Sequence, residues 1–219
     1  MANDVFDRKE SPGNVVSPSL YNFTMGAVLC WGFFINWLMV ENIPPEAVAG
    51  VDIRLFLIGY FASCFFGVYL FNKSSNPVVS FIGYNFVVVP FGFVVNLVVG
   101  RYNPALVLDA VRITGIVTVV MMALGSLYPA FFQKIHGAIT VALLGVIVVE
   151  LVETFFLHIH HGIIDWIVVL IFCGYIGYDW GRANNIPRTV DNAVDSAAEL
   201  YMDIINLFLR ILRILGRRK

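Results

Sequence analysis

The chain has 219 residues, of which 59% are hydrophobic and only 13% charged, with a formal net charge of −1. Soluble domains usually carry about 25% charged residues, so this chain cannot cover a water-facing surface and needs lipid around most of it. Near-neutral charge without a basic patch or interleaved aromatic motif also excludes a nucleic-acid binder.

A helix needs about 20 apolar residues to cross the hydrocarbon core, and inside lipid it must satisfy its own backbone hydrogen bonds. The first 18 residues, with Asp4, Asp7, Arg8, Lys9 and Glu10, read as a short polar tail without a cleavable signal peptide. Hydrophobic runs then predict seven helices, over Leu20 to Val40, Leu55 to Phe71, Val78 to Val99, Leu106 to Phe132, Ile135 to Leu157, Ile163 to Trp180 and Ala197 to Leu215. Pro90 sits inside the third, where it should free the carbonyl of Phe86 and kink the helix. The last is the most polar. The longest connection is expected from Gly181 to Ser196. Cys30, Cys64 and Cys173 fall in apolar runs and read as buried packing residues. The organisation expected is a tail over 1–18, one seven-helix membrane domain over 19–216 and a basic tail over 217–219.

Orientation follows the Lys and Arg count. Arg8, Lys9, Lys73, Lys134, Arg182 and Arg188 fall on one side, which places the N-terminus in the cytoplasm. Arg54 and Arg101 fall on the other. A full crossing by the seventh helix, about 28 Å at 1.5 Å per residue, puts Arg217, Arg218 and Lys219 outside, against the trend. The small size and the lack of a visible organelle-retention signal fit a bacterial plasma membrane.

Ionisable groups inside a membrane are costly and mark partners or pathways. Asp179 and Asp203 are 24 positions apart across the last connection. An antiparallel hairpin centred on Asp191 would bring them to similar depth near the cytoplasmic boundary. Two poorly solvated carboxylates in contact share one proton, which makes a pH switch, and when ionised they attract a hard cation. The alternative is that each caps a helix or faces headgroups. Asp203, Asn206, Arg210, Arg213 and Arg217 recur every three or four residues and form a polar stripe, although Arg213 and Arg217 could simply snorkel. Asp109 and Arg112 are spaced for a local ion pair. Asp109, Glu150 and Glu153 could make an outer acidic mouth or merely border the interface. His158, His160 and His161, near Glu153 and Asp165, offer a weak metal site without ligand spacing that would specify one. No nucleophile elbow, phosphate loop or zinc-protease motif is present in the sequence, so enzyme chemistry is not expected.

The segments Gly177-Tyr178-Asp179, Leu200-Tyr201-Met202-Asp203-Ile204-Ile205-Asn206-Leu207-Phe208 and Leu212-Arg213 resemble the Bax inhibitor-1, or transmembrane Bax inhibitor motif, family. Helix number, length and the polar last helix agree, and the size fits a bacterial member; the amino-terminal third matches poorly. The resemblance implies an all-α membrane protein with six helices around a central seventh. It also implies a calcium leak gated by pH, in which Asp179 and Asp203 share a proton and close the cytoplasmic side. It further implies a latch role for Lys73 at the end of the second helix and an acidic position at Asp109. Arg210 stands where a smaller polar residue is expected, and its charge would weaken cation passage or move the pH midpoint. The partners implied are the bilayer and calcium as the transported ion, with no cofactor. The competing reading is a membrane interaction protein that modulates a protease or cell-death partner without transport.

Overall fold

A computed structural model describes residues 15–157 and 161–217, so most of the amino-terminal tail, His158, His160, Arg218 and Lys219 lie outside the described residues. Helices account for nearly all of it: α1 (Pro18–Asn42), α2 (Pro45–Ala49), α3 (Ile53–Lys73), α4 (Pro77–Val99), α5 (Pro104–Leu127), α6 (Pro129–Val152), a π-helical turn (Glu153–Leu157), α7 (Gly162–Ala183) and α8 (Val190–Arg217). Among the described residues there is no strand. Six helices are long and apolar enough to cross a membrane: α1, α3, α4, α5, α6 with its π turn, and α7. The chain is a multi-pass membrane protein.

Prolines set many of the boundaries. Five helices begin on one, at residues 18, 45, 77, 104 and 129, where the missing N–H is not needed and the fixed φ suits a first turn. Side-chain oxygens of Ser17, Asp52 and Asn76 accept from first-turn amides of α1, α3 and α4. Hydropathy carries the expected fourth helix on to Phe132, but α5 stops at Leu127 and Pro129 starts α6. The short α2 is also absent from the hydropathy reading. The last connection narrows to residues 184–189, because α8 starts at Val190, seven residues before the apolar run. Asp191, Asn192, Asp195 and Ser196 are polar yet buried there. All three cysteines are free, but none is fully buried: Cys30 is exposed, and Cys64 and Cys173 are half-buried.

Two compact units can be distinguished. The first comprises α1 to α4 and α8 through Tyr201. Gly67 of α3 and Gly83 of α4 let the two backbones meet, since a Cβ on either would collide with the other's carbonyl oxygen. The proline in α4 behaves as its position requires. Pro90 has no N–H for the Phe86 carbonyl, and Ser63 Oγ donates to that oxygen at 2.7 Å. Ser63→Ala should therefore cost about 0.6–1 kcal/mol, read by denaturant unfolding in detergent. Asn96 Nδ2 donates to the carbonyls of Met39 and Ile43 at 3.1 and 2.7 Å, which satisfies the end of α1. Tyr201 is fully buried, packs on Phe33, Tyr84 and Phe91, and accepts from Asn36 Nδ2 at 2.5 Å. Ser80 Oγ donates to Asp191 Oδ1 at 2.7 Å, tying the start of α4 to the start of α8.

The second unit comprises α5, α6, the π turn, α7 and α8 from Met202. Here α7 packs on both α5 and α6. Gly125 of α5 touches the Gly177 backbone so closely that a Cβ would strike its carbonyl, and a Cβ on Gly177 would strike the Phe132 ring. Gly125→Val should therefore destabilise the protein by about 1–3 kcal/mol. Gly115→Val, on the same helix with open space around it, should be near neutral. Melting temperatures of the two purified variants check this.

Candidate functional site

The second unit holds two polar clusters in an otherwise apolar setting. The first lies towards the end of α7. Asp179 on α7 and Asp203 on α8 are both buried, at 9% and 7% exposure. Tyr175, one turn before Asp179, lies close enough to both carboxylates for each to act on it electrostatically. Its hydroxyl donates to Thr140 Oγ1 of α6 at 2.9 Å, and Thr140 in turn donates to the His136 carbonyl. The His136 ring stacks on Tyr178, with centroids 3.9 Å apart and planes 20° from parallel, and meets Tyr175 edge-on. Two buried carboxylates thus share a neighbourhood with two phenols and an imidazole, groups able to hold and pass protons. The hairpin is not centred on Asp191, since that residue lies within α8 and the connection runs over 184–189.

The second cluster is ionic and sits where α7 begins and α8 ends. Arg210 grips Glu150 of α6 with both terminal nitrogens: Nη1 meets Oε1, and Nη2 donates to Oε2 at 2.7 Å. Arg210 Nη1 also donates to Asp165 Oδ1 of α7 at 3.0 Å. Arg213 Nη1 reaches the same Oδ1 at 3.3 Å and Glu150 Oε1 at 3.8 Å, and Arg217 Nη2 lies 2.9 Å from Asp165 Oδ2. Asp165 is completely buried. It occupies the first turn of α7, where the helix dipole adds to the stabilisation of its charge. Among the described residues, three guanidiniums meet two carboxylates, which leaves one positive charge in surplus.

The predicted stripe is thus divided. Its three arginines converge on α6 and α7, whereas Asn206 Nδ2 turns back to the Met202 carbonyl at 2.7 Å. The members of the expected acidic trio each have a different basic partner. Glu150 is held by arginine, Asp109 is exposed and lies 3.7 Å from Arg112, and Glu153 is buried at the π turn. There Glu153 Oε1 pairs with His161 Nδ1 at 2.5 Å and Oε2 accepts from the His161 amide at 3.3 Å. His158 and His160 are outside the described residues, and among the described residues no group of three metal-ligating side chains forms. Lys73 closes α3 in the other unit and is exposed. Sequence reasoning passed over His136, Tyr175 and the hub role of Asp165. For Asp165 a signal existed: residues 165 and 210 lie 19 and 21 positions from the 184–189 connection, so an antiparallel pair brings them to within about half a turn of the same level.

A family model described as "Inhibitor of apoptosis-promoting Bax1" matches residues 14–219. An uncharacterised membrane protein of Streptococcus pyogenes serotype M3 is 29% identical over 136 residues, covering 58% of each chain. LIFEGUARD 3 of Arabidopsis thaliana is 34% identical over 134 residues, 56% of this chain and 51% of that one. Bax inhibitor 1 of Schizosaccharomyces pombe is 32% identical over 130 residues, 57% and 47% of the two chains. The chain spans about half the length of the relatives it matches.

Proposed function

This chain belongs to the Bax inhibitor-1 family, and on that premise we propose that it is a pH-sensitive leak for calcium and similar cations. Asp179 and Asp203 form its gate near the cytoplasmic side, and α8 is the seventh crossing, enclosed by the other six. The protein sits in a bacterial plasma membrane with its N-terminus in the cytoplasm. The observation that carries this reading is the burial of both carboxylates within electrostatic reach of one phenol, Tyr175. Burial of most α8 side chains from Ala197 to Leu212 supports an enclosed last helix.

The chemistry follows from the cost of two close charges in a poorly solvated place. With one proton between them the carboxylates hydrogen-bond and hold α7 against α8, which closes the path. Loss of that proton leaves two repelling anions, which favour separation and offer oxygen ligands to a hard cation. Arg210 does not oppose this as a bare charge, because Glu150 and Asp165 neutralise it. Calcium flux from dye-loaded proteoliposomes over a pH series tests the proposal. Flux should rise as pH rises through the gate's midpoint. Protein that conducts at no pH, yet co-purifies with a membrane partner, would favour the interaction reading instead.

A further inference from the structure

The outer members of the ionic cluster, Arg213 and Arg217, are partly exposed. A groove of about 270 Å³ lies beside the cluster, lined by Gly162, Ile163, Trp166, Ile214 and Arg217. Four of these five are apolar or lack a side chain, and the fifth brings a guanidinium. We propose that this groove binds an anionic phospholipid, with its phosphate on Arg217, the charge of Arg213 one turn away adding to the attraction, and one acyl chain along Ile163, Trp166 and Ile214.

Three observations carry this. The first is charge. Glu150 and Asp165 leave the three arginines with one positive charge in surplus, and the surplus falls on the outer members. Arg213 and Arg217 side chains are 37% and 35% exposed, against 17% for Arg210. A guanidinium has five N–H donors, and Arg217 gives one nitrogen to Asp165, which leaves donors for a phosphate. The second is depth. Gly162 begins a membrane-spanning helix and Arg217 ends α8, so the groove lies at the level of headgroups, where tryptophan and arginine are at home. The third is the wall. Ile163 and Trp166 are 64% and 47% exposed and form an apolar surface that a free anion has no use for. The site does not depend on ion conduction.

The test uses a Trp31→Phe/Trp37→Phe/Trp180→Phe protein, which keeps Trp166 as its sole tryptophan. Quenching of Trp166 is compared in bilayers containing brominated phosphatidylglycerol or brominated phosphatidylcholine. Phosphatidylglycerol should be preferred by about threefold or more at low salt. That preference should shrink towards equality in high salt and in the Arg213→Gln/Arg217→Gln variant. Equal quenching by the two lipids overturns the proposal, and so does a preference that high salt leaves unchanged. The salt series needs no arginine substitution, so misfolding of the double variant does not blunt it. Inorganic phosphate added at constant ionic strength should leave the preference intact, and its loss would identify a free-anion site rather than a lipid site.

Discussion

Arg210→Gln is expected to destabilise the protein by about 3–5 kcal/mol, the largest loss among single substitutions in the ionic cluster. The reason is what the substitution leaves behind. Asp165 is fully buried and Glu150 largely so, and each keeps a negative charge when its main partner goes. Arg213 and Arg217 still touch Asp165, but Glu150 would retain only Arg213 at 3.8 Å. Lysine in place of Arg210 should fall between the two, because it restores the charge without the planar fork that meets both Glu150 oxygens. Glu150→Gln added to Arg210→Gln should recover part of the loss, since it removes the orphaned charge rather than the partner. Denaturant unfolding in detergent of the unsubstituted protein, Arg210→Gln, Glu150→Gln and the double variant gives the cycle. If the double substitution costs as much as the two singles added together, Glu150 and Arg210 are not coupled.

Asp203→Asn is expected to flatten the pH dependence of calcium flux. A single-proton switch changes the ratio of its two states by at most about tenfold per pH unit, and flux through the unsubstituted protein should approach that slope below the midpoint, where the open state is the minority. Asparagine can donate a hydrogen bond to Asp179 at any pH, which imitates the shared proton and holds the closed state. Flux should stay low throughout, with less than about a twofold change across the same series. Asp179→Asn should behave alike, and the double substitution should add little, because the proton belongs to the pair and not to either member. Unaltered flux and slope in Asp203→Asn would remove the gate and leave only the family assignment.

Long apolar runs made the crossing helices readable from the residues alone, and the proline in α4 revealed a freed carbonyl at Phe86. What satisfies that carbonyl was not readable, because Ser63 is one hydroxyl in an apolar helix and its partner lies 23 positions away. Hydropathy also misplaced the α5–α6 boundary, since the residues around Pro129 are apolar and only the proline marks the break. It started α8 too late for the opposite reason: Asp191, Asn192, Asp195 and Ser196 look like a loop and are buried helix. The candidate site was half legible. Periodicity put Arg210, Arg213 and Arg217 on one face, but a one-dimensional pattern does not name the carboxylates across from it. His136 carried no signal at all, being a single imidazole in an apolar stretch whose stacking on Tyr178 exists only in three dimensions.

The arginine cluster has a consequence for how the chain is made. A chain synthesised from its N-terminus places Glu150 and Asp165 in the membrane before Arg210 exists. Each acid alone costs at most about 2.5–3.5 kcal/mol, the insertion-scale figure for the helix centre. The helix that relieves them, α8, is itself too polar to count among the six apolar spans. In the seven-crossing arrangement proposed above, its entry is favoured by the two waiting acids as well as by hydrophobicity.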